Sequence, residues 1–453
     1  MIALAKPAES PQDRHFWAFQ LFFMLGFLFH AAEEWDHPFE TVITILLIWA
    51  FLQFDRFREW VFLAFIALLS ARNIDKWPGL ANHSNILLFI CLFLTPQQIR
   101  RCFVRPEPGT EQVVATLRWI VLLMYFFAGF HKLNSDFFNP EVSCAFDKMQ
   151  DYLSVFRVDV EELPAPIQRF VPLSVVLMEL LPGILFVWRR TRKIGVAMLL
   201  LVHALLAPVQ FADFSCVGMS LLWLFVAPDV IDRIPGRRYM SGLAAGLVFM
   251  QLFLASERIK TGDAVNHSLE GVLLIVGFAP IWICYFFRTG TPRFNMRLPQ
   301  APLHWAAIGF MVFFGMNNYL GLRTAGTLSM FSNLTTEGER SNHYLLGSNP
   351  IKFFGFQEDV VELLDVDRRV RGRYRNALRD GHSIPRIEFA RILDRLRARG
   401  TNNLRLTVLY EGEIYSTSDL VDDESFDFPV PWWQKKYFKF RHIQSAPPQK
   451  CCW

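Results

Sequence analysis

The sequence predicts an all-α polytopic membrane bundle followed by a small α+β soluble domain. Three observations carry this fold class. Of the 453 residues, 52% are hydrophobic and only 19% charged, with 45 Phe, which is too apolar for an ordinary soluble enzyme. Apolar windows near the length of a bilayer crossing, roughly 17 to 25 residues, recur over most of the chain. Beyond Tyr319 the pattern switches to short, strongly charged segments.

In chain order the windows are Phe16 to Ala31, Glu40 to Phe54, Trp60 to Arg72, Ser84 to Leu94, Val113 to Phe130, Val171 to Trp188, Ile194 to Val209, Cys216 to Ala227, Met240 to Ala255, Gly271 to Phe287 and Leu303 to Tyr319. The second to fourth and the eighth are short enough to be re-entrant or buried in protein, so the expectation is about 9–11 transmembrane helices. The start, "MIALAKPAESPQDRH", is polar and lacks an apolar signal core, which leaves the first crossing to act as export signal.

Basic stretches such as "QQIRRCFVR", "RRTRK", "RIPGRRYM" and "FFRTGTPRFNMR" fall in alternate loops, and "AAEEWDHPFE", "DFFNPEVSCAFDKMQDYL" and "QFADFS" fall in the others. The positive-inside rule then places the N-terminus in the cytoplasm and the C-terminal domain outside, in the plasma membrane if the cell is prokaryotic. Because the net charge of +4 is spread by loop and forms no stripe, nucleic acid is excluded as a partner and the lipid bilayer is the expected one. The seven Cys are scattered without a C-x-x-C, so no zinc ribbon or disulfide framework is indicated. Cys144 and the terminal Cys451 and Cys452 fall on the same predicted side; a single bridge among them and unpaired thiols are both open, unpaired thiols being the simpler reading.

The organisation expected is a membrane domain over 1–320, a connector over 321–352 rich in Gly, Ser, Thr and Asn, and an α+β domain over 353–453. Within the last, Phe354 to Leu364 reads as a strand. "IPRIEFARILDRLRARG" reads as an amphipathic helix with Pro385 early, and "LRLTVLYEGEIYST" as a hairpin turning at Glu411 and Gly412. The tail "PVPWWQKKYFKFRHI" interleaves aromatics with Lys and Arg, which suits a lipid headgroup interface or a solvated segment packing its rings on the hairpin.

In "FFAGFHKLNSDFF" Lys132 stands at the predicted outer end of a crossing. A lone lysine there can snorkel to the headgroups; a functional one needs polar company. At the same level fall His83, His203 and the group His30, Glu33, Glu34 and His37, with Glu179 inside a neighbouring apolar run. Ionisable groups at membrane depth face a cavity or one another, and an amine withdrawn from water can serve as a base because desolvation disfavours its charged form.

The stretch "YFFAGFHKLNSDFF", with "NHSNILLFI" and "MELLPGILFVWRRTRKIGVAMLLLVHALLAPVQFADFSCVGMSLLWL", resembles the horizontally transferred transmembrane (HTTM) family, in particular the vitamin K-dependent gamma-glutamyl carboxylases, over about Arg72 to Pro228. The resemblance implies that the lysine of the Lys-Leu-x-x-Asp motif, Lys132 here, deprotonates reduced vitamin K or another quinol. Oxygen and carbon dioxide are the implied co-substrates and a peptide or protein glutamate the implied acceptor, in an enzyme classed as a carbon-carbon lyase or oxidoreductase. His83 would then hydrogen-bond the quinone and His203 would join the site as a third member. Asn82, Asp136 and Glu179 would contact the cofactor. His131 replaces the first lysine of the family's Lys-Lys pair, Asn134 replaces its first Asp, and the C-terminal part is far shorter, so quinol-dependent oxygen chemistry is better carried than glutamate carboxylation.

His30, Glu33, Glu34 and His37 are spaced i, i+3, i+4 and i+7, and share a face if helical, with Pro38 stopping the helix. Glu34-x-x-His37 is a spacing used by di-iron bundles, so a metal held here is one reading and a polar helix end the other. The group is also similar to small membrane proteins defined by an HxxEE signature, which implies no activity. Asn333, Glu337, Arg340 and His343 could roof a site or form a structural loop. No P-loop, dinucleotide fingerprint, HExxH or nucleophile elbow occurs. A metal-dependent membrane oxidoreductase and a non-enzymatic transporter or assembly protein are the alternatives to the quinol enzyme.

Overall fold

The computed structural model describes residues 11–33, 38–103, 109–154, 157–208, 212–226, 298–338, 341–347, 352–367, 378–398, 404–444 and 451, with single positions between 242 and 296 and beside these ranges. It is mostly helical with one small antiparallel sheet near its end. The helices are α1 (Pro11–Glu33), α2 (Pro38–Gln53), α3 (Arg58–Lys76), α4 (Asn82–Phe103), α5 (Thr110–Phe130), α6 (Cys144–Ser154), α7 (Ala165–Leu185), α8 (Arg192–Leu206), α9 (Ala212–Leu222) and α10 (Pro302–Leu320). Apart from α6, which forms in a stretch read as a polar loop, they overlap the apolar windows wherever residues are described. Asn82–Phe103, Thr110–Phe130 and Ala165–Leu185 are long and apolar enough to cross a membrane, and Phe39–Gln53 and Phe214–Phe225 are shorter apolar helices. Pro38 opens α2, in keeping with proline's fit to a first helical turn; the residues just before it, where the preceding helix was expected to stop, lie outside the described residues.

Contacts divide the chain into two compact units, Met1–Arg72 with Ile86–Tyr125 and Met178–Gly309, and Asn73–Asn85 with Phe126–Leu177 and Phe310–Trp453. In the first, α1 lies along α9. Gly26 permits the approach: a Cβ there would fall 2.4 Å from the Ser220 hydroxyl and 2.9 Å from the Cys216 carbonyl. The Phe22 and Trp223 rings pack 4.6 Å apart beside it. A buried polar knot ties one end of this unit. Gln98 Nε2 donates to Glu59 at 2.7 Å, and Arg101 reaches Glu59 at 3.3 Å, Thr110 at 2.7 Å and Asp13 at 3.4 Å. These residues open α1, α3 and α5 and close α4, so consecutive helices run in alternate directions.

The second unit holds the sheet, β1 (Val360–Val366), β2 (Ser383–Pro385), β3 (Leu406–Tyr410) and β4 (Glu413–Thr417), in the order β2-β1-β3-β4 and antiparallel throughout. α11 (Arg386–Ala398) buries Ile387, Phe389, Ile392, Leu393 and Leu396 in the same core as Val361, Leu363 and Val408. The hairpin turns at Glu411 (φ 52°) and Gly412 (φ 82°), the pair of left-handed residues that matches strand twist. The expected strand from Phe354 begins later, because the side chain of Gln357 donates to the Asn318 carbonyl at 2.9 Å and holds Gly355–Gln357 in a tight turn. Pro385 ends β2 and lies one residue before the helix it was expected to enter.

Cys144 and Cys451 form a disulfide, which corrects the simpler reading of unpaired thiols. Nothing in the spacing of two cysteines 307 residues apart announces such a bridge. In the tail, α12 (Trp432–Tyr437) is pinned through its last carbonyls, since Arg391 donates to Lys435 O at 2.9 Å and to Phe438 O. Phe440 enters the core, whereas Trp432 and Tyr437 stay 73% and 55% exposed.

Candidate functional site

The second unit gathers a dense polar cluster where α5 ends. Residues Phe130 to Asn139 turn away from the helix and run against the connector. Asn134 Nδ2 donates to His131 O at 2.8 Å and to Ser332 O at 2.6 Å, and its Oδ1 accepts from Phe137 N at 2.9 Å. Ser135 N reaches Asn342 O at 3.1 Å and Tyr344 N reaches Leu133 O at 2.9 Å, so the two segments pair like a short ladder. The composition of 321–352 suggests a loose linker, yet Thr324, Thr327, Ser329, Ser332 and Thr336 are wholly buried. Buried backbone must be satisfied internally, and small hydroxyls and amides do this where water is absent.

Lys132 is 4% exposed, so it does not snorkel. Its Nζ donates to Met330 O at 3.0 Å and Ala128 O at 3.2 Å, and lies 6.0 Å from the Phe137 ring. Two residues before Met330, the Leu328 N–H donates to Asn82 Oδ1 at 2.9 Å. Asn85 Nδ2 donates to Gly326 O at 3.0 Å. The Asn-His-Ser-Asn start of α4 and Lys132 therefore hold one stretch of connector, 326–330, between them. His83 is half-buried at that helix start, and Asp136 is buried, accepting from Ser135 Oγ at 3.0 Å.

The stretch is strained. Leu328 (φ 65°), Phe331 (φ 48°) and Asn333 (φ 52°) occupy the left-handed region, which for residues with a side chain costs about 1–2 kcal/mol each. Such outliers persist where their surroundings over-determine them and cluster at functional sites. Asn333 supplies part of that grip, donating to Val142 O at 2.7 Å and accepting from Cys144 N at 2.8 Å, beside the disulfide.

His131 Nε2 donates to Gly315 O on α10 at 3.0 Å. Gly315 cannot be larger, because a Cβ would fall 2.4 Å from the Phe127 ring. His343 has both nitrogens engaged: Nε2 donates to Phe130 O at 3.0 Å while Nδ1 accepts from Leu345 N and Leu346 N at 3.2 and 3.3 Å. Burial lowers its basicity further, partly offset by the Phe130 carbonyl. Burial pushes the Glu337 carboxyl up, but the Arg441 guanidinium at 2.8 Å, with hydrogen bonds from Arg441, Thr324 and Thr336 N, brings it below the ordinary carboxylate range. Both residues build the loop. Arg340 lies outside the described residues.

His203 and Glu179 belong to the first unit. There the wholly buried His203 meets a partner that the sequence did not single out, the Tyr125 hydroxyl, 2.5 Å from Nε2. Gly218 faces that ring so closely that a Cβ would sit 2.0 Å from it. Glu179 acts on the Tyr125 phenol through space. The predicted site residues thus fall in two groups, Lys132, His83, Asn82 and Asp136 in one unit and His203 and Glu179 in the other. Tyr125 stands within "YFFAGF", and only its polar tip in an apolar run could have signalled it. Asn342 was equally hidden, as an uncharged residue in a loop-like composition, whereas Asn333 falls in the stretch expected to roof a site or form a structural loop.

His30 and Glu33 lie on the backbone of α1, and their side chains, with all of Glu34 and His37, lie outside the described residues. No cluster of metal-ligating side chains occurs among the described residues. No family model, no curated protein and no solved structure matches this chain.

Proposed function

We propose that the protein is a multi-pass membrane enzyme, similar to the vitamin K-dependent carboxylases, in which Lys132 is the base for a reduced quinone. One observation supports it above others: a lysine at the end of an apolar helix is drawn into a buried polar cluster, against a strained stretch of connector, instead of reaching water. The side chains present are of the kind that would flank a quinol ring: Phe137 lies beside the amine, and the rings of Phe130, His131, Tyr319 and His343 pack at tilted and edge-on angles in the same unit, with Phe130 and His343 centroids 4.6 Å apart. When bound, the quinol would supply reducing equivalents for oxygen chemistry.

The residues of the chain would do three things. Lys132, oriented by Ala128 O and Met330 O, would take a hydroxyl proton at Nζ. Asn82 and Asn85 would fix the connector on which Met330 rides. Aromatic side chains would exclude water and keep the transfer local. Three apolar helices of crossing length, read with the alternating basic loops, support a multi-pass bundle with a cytoplasmic N-terminus as part of this proposal. The Cys144–Cys451 disulfide favours an extracytoplasmic C-terminal domain, because such bonds persist in oxidising compartments.

The test is epoxide formation by detergent-solubilised protein given reduced vitamin K and oxygen. Lys132→Ala should reduce it by about 100-fold or more, the scale of a lost general base, with the protein still folded. An unchanged rate overturns the assignment. Because both bonds of Lys132 named above end on backbone carbonyls, a clamp holding the connector is the second reading. A Lys132→Met variant that loses thermal stability, in a protein for which no quinol is turned over, would support the clamp.

A further inference from the structure

Away from Lys132, the second unit collects positive charge around the loop Trp77–Gly79. Arg323 stacks its guanidinium 4.4 Å from the Trp77 ring centroid, and its Nη2 donates to Pro78 O at 2.9 Å and Nε to Ala325 O at 2.7 Å. Arg395 comes within 3.9 Å of the position a Cβ on Gly79 would take, and Lys436 Nζ donates to Trp77 O at 3.2 Å. Lys439 lies largely buried beside Arg323, Arg391 and Arg395, with Glu388 as the carboxylate acting on it. Glu388 is itself engaged, by Arg391 Nη1 and by Phe440 N at 3.3 Å. Lys435, on the same short helix as Lys436, is paired with Asp394 at 2.7 Å.

Four cations thus face one occupied carboxylate. Burial, opposed next by the pull of Glu388 and aided by the like charges of the three arginines, pushes the Lys439 ammonium down to about 8. Arg323 is only 2% exposed, yet its Nη1 has no hydrogen-bond partner. Lys439 Nζ likewise makes no hydrogen bond among the described residues. A buried guanidinium N–H without an acceptor costs several times what a satisfied one contributes, so natural structures rarely leave one unless something else supplies the acceptor. Gly79 and Arg395 are exposed, which opens the cluster to the surface.

We propose that this cluster is an anion site that takes a phosphate group, from a phospholipid headgroup or from free inorganic phosphate, with Arg323 Nη1 and Lys439 Nζ as donors. A phosphate group, monoanionic as a lipid diester and up to dianionic as the free ion, offsets part of the excess charge, and its tetrahedral oxygens suit the guanidinium and ammonium together. The exposed Trp432, Trp433 and Tyr437 on the adjoining α12 are the ring types found at a headgroup layer.

The experiment uses the full chain, delipidated in detergent, with Lys439→Gln as the variant because Arg323 also holds Pro78 and Ala325 in place. Inorganic phosphate is titrated by calorimetry, and native mass spectrometry compares phosphatidylglycerol with diacylglycerol, which has the same tails without phosphate. The proposal expects at least one phosphate-bearing probe to bind and Lys439→Gln to weaken it about tenfold. Phosphate displacing the lipid, or binding alone, identifies the free ion as a ligand; lipid binding that phosphate does not displace identifies the headgroup. Absence of binding by both probes, equal binding by the variant, or equal retention of diacylglycerol overturns it.

Discussion

The connector over 321–347 and the hairpin domain that follows it are neighbours in sequence held together by opposite means. In the hairpin domain Leu363, Ile384, Phe389 and Val408 are fully buried, and regular strands carry the backbone bonds. In the connector, amides and hydroxyls are buried instead, and left-handed residues bend the chain so that they can meet. An apolar core tolerates repacking, whereas a buried polar network fails wherever one partner is missing. That difference teaches where function is expected: rigidity bought with strain and hydrogen bonds lies beside Lys132, and ordinary core packing lies away from it.

The contrast can be broken most forcefully in the apolar region. Leu363→Ala should cost about 2–5 kcal/mol through a cavity, while the catalytic rate of the molecules that remain folded stays near wild type. Chemical denaturation of the full chain in detergent, paired with the epoxide assay, measures both. Asn333→Ala is the matching change in the connector. It removes a partner from Cys144 N–H and from Val142 C=O and leaves alanine at a φ of 52°, for a loss of about 2–4 kcal/mol, and should also slow the proposed quinol oxidation by shifting the connector against Lys132. Equal effects of the two variants on rate would dissolve the comparison.

A smaller effect sharpens it. Glu337 is held below the ordinary carboxylate range in the folded state, so it contributes stability above that range, and the contribution is lost as pH falls through the folded value. Thermal melting should show wild type more stable than Glu337→Gln at about pH 7, with the gap closing as pH falls through and below the ordinary carboxylate range. A gap that stays constant would mean that the Arg441 pair acts through packing and not charge. The smallest expected change is Gly412→Ala in the hairpin turn, where the φ of 82° makes alanine cost about 1 kcal/mol without touching the rate.

The helices and the hairpin were legible because their signals are local. A run of apolar residues the length of a crossing, or a turn of Glu411-Gly412 between alternating strands, states its own conformation. The lysine motif was legible as a position but not as an environment. Whether Lys132 meets water or a carbonyl depends on Met330, and whether His203 stands alone depends on Tyr125, residues distant in the chain.

By itself, then, the sequence determined the apolar helical segments, one strand and the hairpin of the C-terminal region, and the concentration of polar side chains near the end of α5. Tertiary structure alone decided that a Ser- and Thr-rich segment becomes buried scaffold, that Cys144 finds Cys451, and that Arg323 is left with an unanswered donor. The physical reason is range: periodicity and turn chemistry act over a few residues, but a buried hydrogen bond is specified only when both partners, wherever they lie in the chain, lose water together.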